Sequence, residues 1–180
     1  MTARLPPLLT ELDLPLAELT AARLDAELYP IGAGFAPVDE FETLRHRARS
    51  LKERATGRLI AEQFTAAWVW GAVPLFPAQL QFCASLDARV TRTTHAWCAT
   101  REVVIDESEW VRIDCVGVTT PLRTAVDIAR FSPTFDPFVR SALRELMTIG
   151  QFGYADCLDE LGRRRNLPAK RRAAERLAAA

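Results

Sequence analysis

The alternation of apolar and polar residues places helices at both ends of the chain and a strand-rich interval between them. β-branched residues at 116–118 run into apolar positions that recur at helical spacing over 122–129, which predicts a strand followed directly by an amphipathic helix. Thr120 is a suitable N-cap because its hydroxyl can accept a hydrogen bond from the first helical turn, and Pro121 suits the first helical position. This strand–helix unit lies at the centre of the predicted fold.

Comparable patterns predict the remaining elements. Helices are expected at 15–28, 45–58, 59–70, 135–149, 154–161 and 170–176. Strands are expected at 80–84, 89–94, 96–100, 102–105 and 110–115. Because the helices flank the strands rather than alternate with them, the sequence predicts an α+β fold with a central mixed or antiparallel sheet and C-terminal helices.

The predicted organisation has three parts: a helix–hairpin segment at 1–44, a basic connector at 45–58 and an α+β domain at 59–180. In the first part an acidic helix precedes two short extended pieces around a glycine turn at 29–38. A helix followed by a hairpin is what the end of a winged helix-turn-helix segment would contain. The alternative interpretation is a helix–hairpin that only packs on the main domain, because its helix offers a single arginine for phosphate binding.

Basic residues dominate the connector, in contrast to the acidic segment before it. Such a group holds a nucleic-acid backbone or, in the alternative interpretation, forms a solvated helix face. The candidate contacts to DNA phosphates are Arg45, Arg47, Arg49, Lys52 and Arg54. A sparser group, Arg89, Arg92 and Arg101 near Trp97, is typical of single-stranded nucleic-acid sites and of exposed strands alike.

Composition restricts the classes of partner. Acidic and basic residues balance at 23 each, so the net charge gives no bulk field that favours nucleic acid or membranes. No apolar run is long enough to span a bilayer, and the first seven residues lack an apolar signal core. We therefore expect a cytoplasmic protein without a membrane partner, whose four cysteines are reduced and buried.

The residues form no recognisable catalytic constellation. His95 and Cys98 have a spacing that zinc ligands use, but no second pair follows, so we expect no metal site and no cofactor. The carboxylates at 106–109 are interpreted as a solvated turn rather than an acid–base pair. Arg123 and Asp127 are expected to pair and to fix the central helix to the sheet. We expect no enzymatic activity, with a decayed nuclease as the open alternative.

Two blocks of the sequence resemble the AbiEi-type antitoxins of bacterial abortive-infection systems, in a short form like those of actinobacteria. Residues 119–124 and 127–130 are similar to the block T-[ST]-P-x-R-T-x-x-D-[LI]-A-R of that family. Residues 59–71 are similar to its T-A-A-W-L-W-G helix. The residues that match most specifically are Thr120, Pro121, Arg123, Thr124, Asp127 and Arg130 in the first block, and Trp68 and Trp70 in the second.

The resemblance implies a transcriptional autoregulator of a type IV toxin–antitoxin system. Its expected partners are the double-stranded DNA of its own promoter and a nucleotidyltransferase-like toxin, which it antagonises without a stable complex. Relatives continue into a nuclease-like domain after a G-R-R-R hinge like that at 162–165, and because this chain ends soon afterwards we do not expect that activity. The remaining hypothesis is a protein-interaction module without DNA binding, with Trp68 or Trp70 as its interface anchor.

Overall fold

The computed structural model describes residues 6–87 and 97–180 of the chain. Within these residues lie seven α-helices and seven β-strands, which confirms the predicted α+β class. The helices are α1 (Leu16–Leu24), α2 (Leu44–Ser50), α3 (Gln63–Trp70), α4 (Pro121–Phe131), α5 (Pro137–Gly150), α6 (Tyr154–Gly162) and α7 (Lys170–Ala178). The strands are β1 (Leu28–Ile31), β2 (Gly34–Pro37), β3 (Ile60–Ala61), β4 (Leu80–Ser85), β5 (Cys98–Val103), β6 (Trp110–Ile113) and β7 (Val116–Thr119).

Five of the strands form a mixed sheet in the order β5-β4-β3-β7-β6. The central strand β3 is parallel to β7 and antiparallel to β4, and β5 runs parallel to β4. Because β3 and β7 are parallel, their carboxyl ends meet at one edge of the sheet. Helices α3 and α4 follow these strands at once, so both helices begin at that edge.

The predicted helix at 59–70 is wrong in its first residues. Ile60–Ala61 form strand β3, and helix α3 begins only at Gln63. A two-residue strand is too short to show alternation, so its apolar residues extended the helical pattern instead. The predicted end of the helix is confirmed, because Gly71 follows it in the left-handed conformation with a φ of 87°.

The strands between α3 and α4 also differ from prediction. The stretches expected as separate strands at 96–100 and 102–105 contribute to one strand, β5. The expected strand at 110–115 ends at Ile113, where the chain turns through Asp114 at a φ of 53°. The predicted strand at 89–94 lies outside the described residues.

The N-terminal hairpin of β1 and β2 supports helix α1 and packs on the main core at the same time. One face of the hairpin contributes Ile31 to the main core. The other face contributes Leu28 and Phe35 to a small cluster that includes Leu9 and Leu19. Leu9 also pairs with Phe35 in an isolated antiparallel bridge, and Leu19 is the one buried residue of the fully described helix α1.

The basic connector is helical only in its first half. Helix α2 ends at Ser50, and turns occupy most of the segment 51–58. The Thr43 hydroxyl caps the helix by accepting a hydrogen bond from the backbone N–H of His46 at 3.3 Å. Helix α2 therefore presents less than two turns of regular structure to any partner.

A single large apolar core lies between the sheet and helices α3 to α7. Helix α4 is almost completely enclosed, since it contacts α3, α5, α6 and α7. Trp68 of α3 is 2% exposed and packs edge-on against Phe76, with 4.8 Å between ring centroids. No helix of the described residues is long and apolar enough to cross a membrane.

Replacing Gly71 with alanine should reduce the free energy of unfolding by about 1 kcal/mol, because a side chain is strained at the left-handed end of α3. The matched control is Gly162→Ala at the end of α6, where an added Cβ meets nothing within 4 Å. Urea unfolding should show a loss for the first variant and an unchanged or raised stability for the control. Equal losses would contradict the assigned role of Gly71.

Candidate functional site

The junction of β7 and α4 is built from the threonines of the first family-like block. The Thr120 hydroxyl accepts a hydrogen bond from the N–H of Arg123 at 3.3 Å, and Pro121 occupies the first helical turn. The Thr124 hydroxyl lies 2.8 Å from the carbonyl oxygen of Thr120 and 2.7 Å from the Thr119 hydroxyl. These contacts confirm the predicted cap and fix the direction in which α4 leaves the sheet.

Asp127, on α4, is 1% exposed and accepts hydrogen bonds from three arginines. Nε of Arg123 and Nη2 of Arg101 donate to Oδ2 at 2.8 and 2.9 Å. Nη1 of Arg130 donates to Oδ1 at 2.8 Å. Because Arg101 belongs to β5, these bonds join α4 to the sheet, and they confirm the predicted Arg123–Asp127 pair.

Two more buried carboxylates extend this set of ion pairs. Glu62 is 2% exposed and accepts two hydrogen bonds from Arg101, at 2.6 and 2.5 Å. Glu109 accepts hydrogen bonds from Arg123 at 2.8 Å and from Arg164 at 2.6 Å. We call the whole set the arginine–carboxylate cluster, which consists of Arg101, Arg123, Arg130, Arg164, Glu62, Glu109 and Asp127.

The interpretation of 106–109 as a solvated turn is wrong for Glu109, which is 3% exposed. Its carboxylate accepts a hydrogen bond from the backbone N–H of Asp106 at 2.7 Å and thereby closes a short 3₁₀ turn. The D-x-x-E spacing of 106–109 is a capping-box pattern, so the sequence carried a signal for this turn. The sequence carried no signal for the ion pairs that Glu109 forms with Arg123 and Arg164.

Electrostatics within the cluster favour the charged forms of Glu109 and Arg123. Burial alone would raise the pKa of Glu109, but the N–H of Asp106 and the guanidinium groups of Arg123 and Arg164 hold it below its ordinary value. Burial would lower the pKa of Arg123, but the charges and hydrogen bonds of Asp127 and Glu109 raise it. All three buried carboxylates form ion pairs with arginines.

Arg130 is the least compensated cation of the cluster. Burial lowers its pKa below the ordinary arginine value, and the neighbouring charges of Arg101 and Arg123 add to that lowering against the attraction of Asp127. Its Nε atom donates to the carbonyl oxygen of Pro168 at 3.0 Å. This bond connects α4 to the segment between α6 and α7.

All four arginines of the cluster line a cleft of about 430 Å³ between β5, α4 and the segment 164–168. The ring of Phe131 forms part of its wall. The guanidinium carbons of Arg101 and Arg130 lie 4.2 and 4.4 Å from the centroid of that ring. The cleft is therefore an arginine-rich surface backed by an aromatic ring.

The structure separates Arg47 from the other predicted DNA contacts. Its Nη1 atom donates to the carbonyl oxygen of Trp68 at 2.7 Å, and its guanidinium carbon lies 5.6 Å from the centroid of that ring. Its Nε atom pairs with Glu42 at 2.5 Å. Arg47 thus links α2 to α3 and has little of its side chain left for a ligand.

The remaining four predicted contacts reach the surface to different extents. Arg45 and Lys52 are exposed. The Nε atom of Arg49 lies 3.7 Å from Asp114. Arg54 is partly buried and extends over the ring of Trp97, at 6.0 Å from its centroid.

Three of these bases share a cleft with the acidic N-terminal segment. Arg49, Lys52 and Arg54 line a cavity of about 360 Å³ whose other wall includes Glu11 and Asp13. The acids oppose the field that the bases present to an anionic partner. Arg89 and Arg92, the other predicted basic residues, lie outside the described residues.

The tryptophans of the second family-like block lie inside the domain. Trp68 is fully enclosed, and the indole N–H of the half-buried Trp70 donates to the carbonyl oxygen of Thr119 at 2.8 Å. Trp70 thereby ties the end of α3 to the end of β7. Both side chains contribute to packing, which is the commoner role of large aromatics.

No group of three His, Cys, Asp or Glu side chains in the described parts of the chain is placed to hold a metal ion. Cys98 is buried, and His95 lies outside the described residues. Burial raises the pKa of the Cys83 thiol, and the nearby carboxylate of Glu62 raises it further. Burial likewise raises the pKa of Cys157 to about 12, so neither thiol is ionised at neutral pH.

No protein-family model matches this chain, and no curated protein sequence matches it. A solved structure with a similar fold is that of the Rv2827c protein from Mycobacterium tuberculosis. The TM-score is 0.51 at 16% sequence identity, and the match covers 97% of this chain and 72% of that one. A likeness at this level of identity shows the fold alone.

Replacing Asp127 with asparagine should lower the free energy of unfolding by about 3–5 kcal/mol, because three arginines would lose their shared buried counter-ion. The control is Glu145→Gln, which removes one exposed carboxylate from α5 and should change stability by less than about 0.5 kcal/mol. Urea unfolding measures both. A loss for Asp127→Asn no larger than that of the control would contradict the central role of Asp127.

The buried Glu109 should also make stability depend on pH. Its pKa in the folded protein lies below the ordinary value of 4.5, so its contribution is complete above that value and is lost as the pH falls through the folded pKa. The stability advantage of the wild type over Glu109→Gln should therefore shrink between about pH 6 and pH 3. Denaturant unfolding across this range, with the exposed Glu107→Gln as control, measures it; an advantage that stays constant with pH would refute the assignment.

Proposed function

We propose that the protein is a non-enzymatic, antitoxin-type regulator that binds the DNA of its own promoter through its N-terminal helix–hairpin segment. The observation that carries the proposal is the arrangement of that segment. Helix α1 precedes the β1–β2 hairpin, and the bridge between Leu9 and Phe35 adds the start of a third strand. In chain order the extended residue Leu9 comes first, then α1 and then the hairpin; a winged helix-turn-helix segment likewise has a helix that precedes its hairpin wing and a strand that supports the wing.

The exposure of α1 supports this proposal. Only Leu19 of its nine residues is buried, so the helix lies on the surface of its supporting cluster, as a helix that enters a DNA groove must. Lys52 and Arg49 line the same cavity as the N-terminal segment that pairs with the hairpin. These bases are therefore close to the segment that carries α1 and can contact phosphates beside it.

The charges around this cavity predict how DNA binding depends on salt concentration. Glu11 and Asp13 face the same cavity as Arg49, Lys52 and Arg54, so the attraction to DNA is partly cancelled within the protein. Binding through phosphate contacts weakens with salt in proportion to the number of phosphates that the protein neutralises. Promoter binding by this protein is therefore expected to be strongest at low salt.

The proposal of a non-enzymatic role draws support from the arginine–carboxylate cluster. A catalytic carboxylate needs a free lone pair directed at substrate. Glu62, Glu109 and Asp127 instead accept hydrogen bonds from arginines at both of their carboxylate oxygens. The family-like residues Arg123 and Arg130 likewise stabilise α4, which suits a binding protein. The family resemblance adds a second proposed role, the antagonism of a nucleotidyltransferase-like toxin.

One observation favours the alternative of a protein-interaction module. Three leucines lie four and eight positions apart on and before α1, and they are strongly exposed: Leu12 is 82%, Leu16 is 52% and Leu24 is 81% exposed. Exposed leucines grouped at helical spacing are typical of protein contacts.

Fluorescence anisotropy with a labelled duplex from the protein's own promoter, and a scrambled duplex beside it, tests DNA binding. The double variant Arg45→Gln/Lys52→Gln should bind both duplexes more weakly and lower the slope of log affinity against log salt by about 2. The matched control is Arg165→Gln/Arg171→Gln, which removes the same charge from two exposed residues elsewhere. The control should bind like the wild type.

Tighter binding of the promoter than of the scrambled duplex would support the autoregulator. Absence of binding to either duplex at low salt would overturn the DNA-binding proposal and leave the α1 surface as the better-supported site. An equal loss in both double variants would remove Arg45 and Lys52 as specific contacts. Neither substitution touches Arg47, whose loss would disturb the packing of α2 on α3.

A further inference from the structure

The arginines of the cleft beside α4 outnumber its buried carboxylates. Four arginines line the cleft, and three buried carboxylates pair with them. Two further carboxylates are exposed: Asp106, which lies 3.5 Å from Arg164 and is 58% exposed, and Glu102, which lines the cleft. Solvent screens an exposed carboxylate much more than a buried one, so the four arginines are opposed chiefly by the three buried carboxylates.

Several guanidinium nitrogens of the cleft have no partner within the described residues. Nη1 of Arg101, Nη2 of Arg123 and Nη2 of Arg130 make none of the cluster's hydrogen bonds. All four side chains line the cleft; those of Arg101 and Arg164 are 27% and 25% exposed, and those of Arg123 and Arg130 are 5% exposed. Arg164 uses only Nη2, which leaves its Nε and Nη1 atoms free as well.

The carboxylates hold these donors in place before any ligand arrives. Glu62 fixes Arg101 through two hydrogen bonds, and Asp127 fixes Arg101, Arg123 and Arg130 together. Long arginine side chains otherwise lose rotamer freedom when they bind a ligand. Because that loss has already occurred on folding, the free N–H groups form a pre-organised set of donors.

We propose that this cleft binds the terminal phosphate group of a small molecule. A phosphate presents several acceptor oxygens and up to two negative charges, which match converging guanidinium donors better than a single carboxylate does. The volume of about 430 Å³ lies in the range of small-molecule sites and can hold a mononucleotide. The amide of Asn166 lines the same cleft and offers further polar contacts. This site is independent of the proposed DNA-binding segment.

Glu102 supplies a sensitive test because it lines the cleft, is exposed and takes part in none of the ion pairs of the cluster. Its negative charge opposes an incoming phosphate. Replacing it with glutamine should tighten phosphate binding by about two- to fivefold, the range that an exposed charge pair supplies. The exposed Glu145→Gln on α5 removes the same charge away from the cleft and should leave binding unchanged.

Isothermal titration calorimetry in a chloride buffer would compare inorganic phosphate, adenosine 5′-monophosphate and adenosine. We expect inorganic phosphate and adenosine 5′-monophosphate to bind and adenosine to give no heat of binding. Arg101→Lys should weaken phosphate binding by about tenfold, because a lysine lacks the planar, paired N–H donors of a guanidinium group. A bound probe at about ten times its Kd should also raise Tm by about 3–6 °C. The Tm without probe shows whether Arg101→Lys is still folded.

The proposal would be overturned if neither inorganic phosphate nor adenosine 5′-monophosphate bound. Equal binding of adenosine and its monophosphate would also overturn it, because recognition would then rest on the base and sugar. If Glu102→Gln and Glu145→Gln bind phosphate equally, the ligand does not occupy this cleft. Because Glu102 is exposed, its substitution keeps the test decisive even if Arg101→Lys fails to fold.

Discussion

The architecture depends on one buried carboxylate, Asp127, and the three arginines that converge on it. An isolated charge in this position would be strongly unfavourable, and the removal of one partner would leave the others uncompensated. The cluster is therefore satisfied only when β5, α4, the turn before β6 and the segment after α6 are all in place. A hydrophobic contact tolerates small shifts, whereas these directional bonds of 2.5–2.9 Å specify one arrangement of the elements.

Sequence patterns predicted the elements whose contacts lie within a few neighbouring residues. The cap at Thr120, the C-terminal helices and the Arg123–Asp127 pair all rest on neighbours within four residues. The other members of the cluster are joined over long separations: Glu62 lies 39 residues from Arg101, and Glu109 lies 55 residues from Arg164. No periodicity links such positions, so only the folded chain shows that they meet. The short strand β3 was missed for the related reason that pairing, not its own pattern, makes it a strand.

The basic connector shows that the number of basic residues in a segment does not give the number of charges that its surface presents. Its arginines look equivalent along the sequence, yet Arg47 binds the carbonyl oxygen of Trp68 while Arg45 is exposed. A guanidinium group is long enough to cap a helix or to cover an aromatic ring, and such contacts consume its donors. Which arginine of a basic run remains available is decided by the tertiary neighbours of each side chain, here the ends of α2 and α3.

Binding surfaces in this fold consist of cations that internal pairing leaves available. The carboxylates of the cluster are enclosed and paired, whereas Arg101 and Arg164 keep unpaired nitrogens in the cleft, and Arg45 and Lys52 are exposed in and after α2. Donors that paired carboxylates hold in position suit the recognition of anions. We therefore propose phosphate groups as the ligands of both surfaces, those of a polymer at Arg45 and Lys52 and that of a small molecule in the cleft.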